Sequence, residues 1–475
     1  MSASHQVDPA RLSVRRRWLV QFAVGLGTLI TTFDTGSINV SLHTMARDFA
    51  VDASTIAWLP LLGFLVVTST LLLFGRLSDL LGNKVVYTAG FVVYAAGGSL
   101  CGLAPTFPLL LVARGLQAIG LSMLSANAMA ILTACFPPHQ RGVAVGVASA
   151  VVGLGYFVGP VVAGFVITAL GWRYVFFVSV PVCLLALGIS VLVLPRETGN
   201  KGMRFDFVGA ALFALAATSL LLAINIARSS SPLAPPVLGL GLVAVVAVAL
   251  FVSVERRVKE PMLELGLFRI RLFSFSLASA FLLFVGIAGQ ELLVPLFLQQ
   301  VLLQSPAAAG LAMAVVPFIR MLLSSPSGYF SDRFGPRVPA SLGAALTATG
   351  VFGLSRMDAG TSLAWLLSCL VLIGLGTGFF FSPNMHATMA SVPQDRLGVG
   401  SGALGLRRNL GQSFGVAIAA YLLQVGGSGG AGSAGGFQLG FTVGAFAVTL
   451  AALAALAGGS PALARRRVRR TGAAQ

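Results

Sequence analysis

The chain has 475 residues, 56% of them hydrophobic and 9% charged, with a formal net charge of +17 and a mean hydropathy of +0.91. A soluble domain carries about 25% charged residues, so this chain has too little charge to coat a water-exposed surface of its size. The positive charge is not the footprint of a nucleic-acid binder: the basic residues sit in short clusters between apolar runs, the pattern that holds loops on the cytoplasmic side of a membrane.

The predicted elements are membrane-spanning helices, each needing about 20 apolar residues. Residues 1–17 form a basic tail in which Arg15, Arg16 and Arg17 precede the first apolar run. The run 18–42 is too long for the core of a secretory leader and lacks a clear cleavage site, so it reads as a retained first span. Spans near 55–74, 85–104, 108–134, 142–168 and 173–194 complete a first set, making 18–194 an N-terminal six-helix bundle. Residues 195–273 hold an inserted helix pair, near 205–227 and 233–254, with flanking cytoplasmic loops. The second bundle, 274–458, has spans near 274–300, 307–330, 338–356, 362–390, 398–424 and 436–458. The tail 459–475 carries five arginines between Arg465 and Arg470, each contributing about 1 kcal/mol at an anionic leaflet. The expectation is therefore an all-α membrane protein with fourteen spans.

Orientation follows from counting. With both termini cytoplasmic, 23 of the 31 Lys and Arg fall in cytoplasmic segments, and only Arg47, Arg173, Arg228 and Arg356 fall outside. Arg114, Arg320, Arg407 and Arg408 fall within spans. That bias favours an even number of spans. The four cysteines (Cys101, Cys135, Cys183, Cys369) lie in or beside apolar runs with no metal or disulfide spacing, and read as small packing residues.

The chain also repeats itself. Gly75-Arg76-Leu77-Ser78-Asp79-Leu80-Leu81-Gly82-Asn83-Lys84 follows the second span, and Gly328-Tyr329-Phe330-Ser331-Asp332-Arg333-Phe334-Gly335-Pro336-Arg337 follows the tenth, 253 residues later. Pro138-x-x-Arg141 and Pro393-x-x-Arg396 form a second echo at 255 residues. Internal repeats packed around a midplane site are a transporter signature.

These residues resemble the major facilitator superfamily, and within it the fourteen-span drug:proton antiporter branch of the EmrB/QacA type. The two Asp-containing loops look like its cytoplasmic loop motif. Arg114-Gly115-Leu116-Gln117 looks like the fourth-helix motif, and Gly155-x-x-x-Gly159-Pro160 with Gly164 looks like the fifth-helix antiporter motif. Phe33-Asp34-Thr35 through Asn39-Val40-Ser41-Leu42, Phe205-Asp206-Phe207-Val208-Gly209 and Arg408-Asn409-Leu410-Gly411 resemble the branch's patterns in the first helix, the inserted pair and the thirteenth helix. Leu80 and Asn83 depart from the loop motif, where basic residues are usual. The resemblance implies a major facilitator fold and gating roles for Gly75, Asp79, Gly82, Lys84, Asp332, Arg333, Gly155, Gly159, Pro160, Gly164 and Arg408.

The chemistry rests on charges inside the bilayer, which cost roughly 2.5–3.5 kcal/mol each on insertion scales. Of the fourteen acidic residues, only Asp34 and Glu291 lie deep within predicted spans. They are 257 residues apart and occupy related places in the two halves. Thr31, Asp34, Ser37 and Ser41 fall near one helical face, which is expected to line a water-filled cavity. Asp34 and Glu291 are candidates for proton coupling or substrate binding; the alternative is a structural ion pair with Arg114, Arg320 or Arg408. Arg114 either holds a carboxylate charged until the conformation changes, or bonds backbone carbonyls. Asp79 and Asp332 read as latches beside the loops. No Walker A run, metal cluster or zinc-helix motif is present in the sequence, so an enzyme is not expected and no cofactor is implied. The expected activity is proton-coupled export of amphipathic or cationic small molecules; the alternative is transport of one dedicated metabolite, with a channel or sensor behind both. The expected setting is the inner membrane of a bacterium, with protons, lipid and a small-molecule substrate as partners, no nucleic acid, and a monomeric state.

Overall fold

The computed structural model describes residues 13–137, 140–195, 207–229, 234–258, 265–392, 397–426 and 434–458. Among them are fourteen α-helices of eighteen or more residues, one short α-helix and a 3-10 turn at Leu265–Arg269. The first half contains α1 (Val14–Asp48), α2 (Ala53–Ile56), α3 (Trp58–Leu81), α4 (Asn83–Leu103), α5 (Phe107–Cys135), α6 (Arg141–Leu170) and α7 (Arg173–Val193). Then come α8 (Phe207–Ser229) and α9 (Pro235–Glu255), followed by α10 (Arg271–Gln300), α11 (Pro306–Phe334), α12 (Arg337–Leu354), α13 (Leu363–Ala390), α14 (Leu397–Gly426) and α15 (Gly435–Ala457). Nine of the described helices are long and apolar enough to cross a membrane: α4 to α7, α9 to α11, α13 and α15. Polar and charged residues interrupt two of the others, α1 (Arg15, Asp34, Arg47) and α14 (Arg407, Arg408, Gln412), and it is on such helices that intramembrane chemistry is found.

The chain forms two compact units, one of residues 1–215 with 304–314, the other of 216–303 with 315–475. In the first unit α4 packs on α5 and α7, and α1 packs on α6. Tyr87, Phe91 and Tyr94 of α4 lie in its buried core with Leu121, Leu124 and Ile131 of α5. Lipid tails are as apolar as leucine, so helices here associate through close packing over small residues. A methyl group at Gly90 would meet Met123 at 2.9 Å, and one at Gly97 would overlap the backbone of Gln117. In the second unit α12 crosses α13 by the same device: a methyl group at Gly343 would meet the carbonyl of Gly376 at 2.6 Å, and one at Gly350 that of Cys369 at 2.8 Å. Gly343 and Gly350 lie 253 residues beyond Gly90 and Gly97, the offset of the loop motif. The core of this unit gathers Leu283, Ile287, Ala340, Ala344, Phe380 and Val448.

The loop motifs themselves are tighter than predicted. The helix runs through Asp79 to Leu81 and through Asp332 to Phe334, so neither acid sits beyond its helix. Gly82 alone joins α3 to α4, at φ +92°, and Gly335 lies between α11 and α12 at φ +78°. A side chain is strained in that backbone region, which accounts for the glycine at this place in both copies.

One polar clasp ties the ends of α1 and α7. Asp48 accepts hydrogen bonds from Trp172 Nε1 at 3.0 Å and Arg173 Nη1 at 2.7 Å. The guanidinium lies 4.3 Å from the indole centroid.

Candidate functional site

Asp34 and Arg114 form the centre of the first unit. The guanidinium grips the carboxylate with two parallel bonds, Nη1 to Oδ1 and Nη2 to Oδ2, both 2.8 Å. Both side chains are 4% exposed. Of the three arginine partners open to Asp34 from sequence, the fold selects Arg114. The same Nη1 donates to Gln117 Oε1 at 2.7 Å, one turn further along α5. Tyr94 Oη reaches Asp34 Oδ1 at 3.4 Å, too long for a strong bond. Gly63 of α3 leaves room for the guanidinium: a methyl group there would meet Nη2 at 3.1 Å. Arg114 Nε and Gln117 Nε2 are buried without a protein acceptor among the described residues. The sequence contained Gln117 within the fourth-helix pattern, three residues from Arg114, but gave no signal for Tyr94 or Gly63.

The hydroxyl face of α1 differs from expectation. Ser37 and Ser41 are 2% and 0% exposed. Their hydroxyls donate to the carbonyls of Asp34 and Ser37, and Thr31 donates to Thr28 O. Backbone carbonyls one turn back satisfy these groups, so the serines are packed rather than lining a wet cavity.

In the second unit Glu291 lies twenty residues past the start of α10, as Asp34 lies twenty past the start of α1. Its surroundings are different: Glu291 is half-buried, and Arg320 of α11 is close enough to act on it electrostatically. The buried arginine of α14 is Arg407. Its Nη1 donates to Asn384 Oδ1 at 2.7 Å, Ser276 O at 3.1 Å and Thr388 Oγ1 at 3.3 Å. Arg408, the residue in the motif position, is half-buried.

The fifth-helix pattern is a packing surface within the first unit. A methyl group at Gly155 would overlap Thr32 Oγ1, and one at Gly159 would meet the carbonyl of Phe33 at 2.8 Å. Pro160 packs its ring against Gly36 of α1, and its carbonyl touches Gly310. Gly164 faces the carbonyl of Pro306. Lys84 donates to Val191 O at 2.6 Å and Leu194 O at 2.8 Å, and Arg16 Nε donates to Val193 O at 3.1 Å. Two cations thus cap the negative end of α7. Gly75 has open space around it, and Arg333 lies over the ring of Phe334 at 5.8 Å. The side chains of Asp79 and Asp332, and the loops at 138–139 and 393–396, lie outside the described residues.

The sequence profile of the Major Facilitator Superfamily matches residues 24–416 and 276–473. The riboflavin transporter RibZ of Clostridioides difficile (strain 630) is 31% identical over 406 residues, covering 85% of this chain and 88% of that protein. The multidrug resistance protein Stp of Mycobacterium tuberculosis (strain CDC 1551 / Oshkosh) is 29% identical over 405 residues, covering 85% and 75%. The crystal structure of the peptide transporter POT in complex with sulfate aligns with a TM-score of 0.70 at 15% identity, covering 94% of each chain.

Proposed function

This chain belongs to the Major Facilitator Superfamily of secondary transporters, and from that premise we propose that it exports amphipathic small molecules, drugs among them, in exchange for protons. The proposal places it in the fourteen-span branch. Two six-helix bundles flank an inserted pair, and a monomer works by alternating access in a bacterial inner membrane with both termini cytoplasmic.

The buried Asp34–Arg114 pair carries this reading. A bidentate pair in a low-dielectric site is neutral as a whole and stable while both bonds hold. Adding a proton to the carboxylate leaves the guanidinium uncompensated, which disfavours the closed arrangement. The free energy released by a protonation is thereby spent on rearranging α1 against α5. One proton crossing about 100 mV and one pH unit supplies roughly 2.3 plus 1.4 kcal/mol, enough for a gradient of several hundredfold of a neutral substrate. Glu291 of the second unit is assigned to the substrate.

A second reading is transport of one dedicated metabolite on the same fold, and the 31% identity to a riboflavin transporter favours it. Efflux of a substrate panel from pump-deficient cells, with and without a proton uncoupler, separates the two. Export of several chemically unlike compounds, abolished by the uncoupler and by Asp34→Asn in correctly inserted protein, is the expected result. Uptake or export of a single compound that the uncoupler leaves untouched overturns the proposal.

A further inference from the structure

The loop motifs, the α7 cap and the buried Arg407 network serve the architecture of the fold. One cluster in the second unit does more than pack against the core. Phe281, Phe284 and Glu291 share a stripe of α10, being spaced by three and seven residues. Phe284 lies 5.1 Å from Phe381 of α13 with the rings tilted by 40°. Phe281 lies edge-on to Phe414 of α14 at 5.8 Å. Arg320 places its guanidinium 5.4 Å from the centroid of Phe381. Small residues bring the backbones together at these points. A methyl group at Gly378 of α13 would come within 3.5 Å of Arg320 Cα, and one at Gly411 of α14 would meet Phe284 Cβ at 2.6 Å.

All six side chains are half-buried. Two of them are charged, and charged groups at this depth face a bundle interior or a wet cavity rather than lipid. These half-buried charges therefore place the stripe on the wall of the bundle interior. That wall combines aromatic rings, which favour stacking with another flat ring, with one donor-rich fork and one acceptor-only carboxylate. A cation placed against Phe381 would meet the Arg320 guanidinium, which already lies 5.4 Å from that ring.

We infer that Phe284, Glu291, Arg320 and Phe381 form a substrate subsite for neutral, planar, fused-ring heteroaromatics bearing carbonyl and N–H groups. The flat body packs against the open side of the aromatic cluster, Arg320 donates to the carbonyl and Glu291 accepts from the N–H. This rests on the transporter reading above but not on proton coupling, and it narrows the substrate class by excluding net positive charge.

The test uses two probes of nearly the same shape, neutral acridone and cationic 10-methylacridinium, whose binding to the purified full chain in lipid nanodiscs is read by fluorescence. Acridone is expected to bind at least tenfold more tightly than the cation. Phe381→Leu should weaken both. Arg320→Gln should weaken acridone about tenfold while narrowing or reversing the preference. Arg320→Lys, which keeps the charge but loses the planar fork, serves where Arg320→Gln does not fold, and should retain the preference with weaker acridone binding. Equal or tighter binding of the cation to wild type overturns the inference, as do failure of acridone to bind and acridone binding unchanged by Phe381→Leu and both Arg320 variants. No proton gradient enters this measurement. Acridone binding as expected alongside uncoupler-insensitive transport would sink the coupling proposal and leave the subsite standing.

Discussion

Asp34 of α1 and Glu291 of α10 meet different conditions. Asp34 is locked into two bonds with Arg114 and is closed off from solvent. Glu291, at the same count along its helix, is half-open beside Arg320. Removing one partner of a buried pair costs about 3–5 kcal/mol because the other charge is stranded. Asp34→Ala should therefore lower the thermal midpoint in detergent sharply. Adding Arg114→Leu should recover part of the loss, with a coupling of roughly 1–3 kcal/mol in the double-mutant cycle. Strict additivity would mean that the pair is not energetically linked. Asp48 supplies a second test at this scale, outside the bilayer. Hydrogen bonds from Trp172 and then Arg173 hold its carboxyl below the usual carboxylate range. The clasp therefore stabilises the fold at pH values above that range, and this contribution is lost as pH falls through the lowered value. The site is exposed, so its worth is about 0.2–1 kcal/mol. In a variant retaining Trp172 as its sole tryptophan, emission should change on acidification in the wild-type clasp and be flat in Asp48→Asn. The same acid-induced change in both would remove Asp48 as its cause.

At the scale of elements, glycines decide which helices touch. Gly159 lies against the backbone carbonyl of Phe33, whereas Gly146 on the same helix has nothing within 4 Å of where a methyl group would stand. Gly159→Ala should cost about 1–3 kcal/mol by overpacking the α1–α6 contact. Gly146→Ala should be neutral or stabilising by up to about 1 kcal/mol through helix propensity. Thermal unfolding of the two variants side by side distinguishes a packing surface from a merely glycine-rich helix, since equal shifts would deny α6 any special contact. The corresponding pair in the loops is Gly82 and Gly335, both at positive φ. Alanine at either should cost roughly 1–2 kcal/mol, and a loss at only one would mean that the two copies of the motif are not structural equivalents.

For the whole molecule, the basic residues make a prediction about sidedness. The four native cysteines are buried, so a cysteine introduced at Ser2 or at Gln475 is the reactive one. Both should react with an impermeant maleimide only when the reagent has access to the cytoplasm. Reaction from opposite sides would demand an odd number of spans and end the fourteen-span proposal.

Hydropathy and spacing are local properties, and they alone determined the membrane class, the positions of the helices and the 253-residue repeat, which reappears in Gly90 and Gly97 against Gly343 and Gly350. They also singled out Asp34, Glu291 and Arg114, because a charge in an apolar run is conspicuous whatever it touches. What those charges touch was open: Asp34 and Arg114 are 80 residues apart, and Arg320 and Arg408 were equally eligible by composition. Only the crossings of α1, α3, α4 and α5 place Gly63, Tyr94 and Gln117 around that one pair. The choice between Arg407 and Arg408 has the same character. Adjacent residues on a helix point about 100° apart, so the rotation of α14 against α10 and α13 decides which one is buried, and no local pattern records that rotation. The aromatic wall around Glu291 was out of reach for the same reason: its rings come from three helices, and 33 phenylalanines give no sign of which ones meet until the backbones are packed.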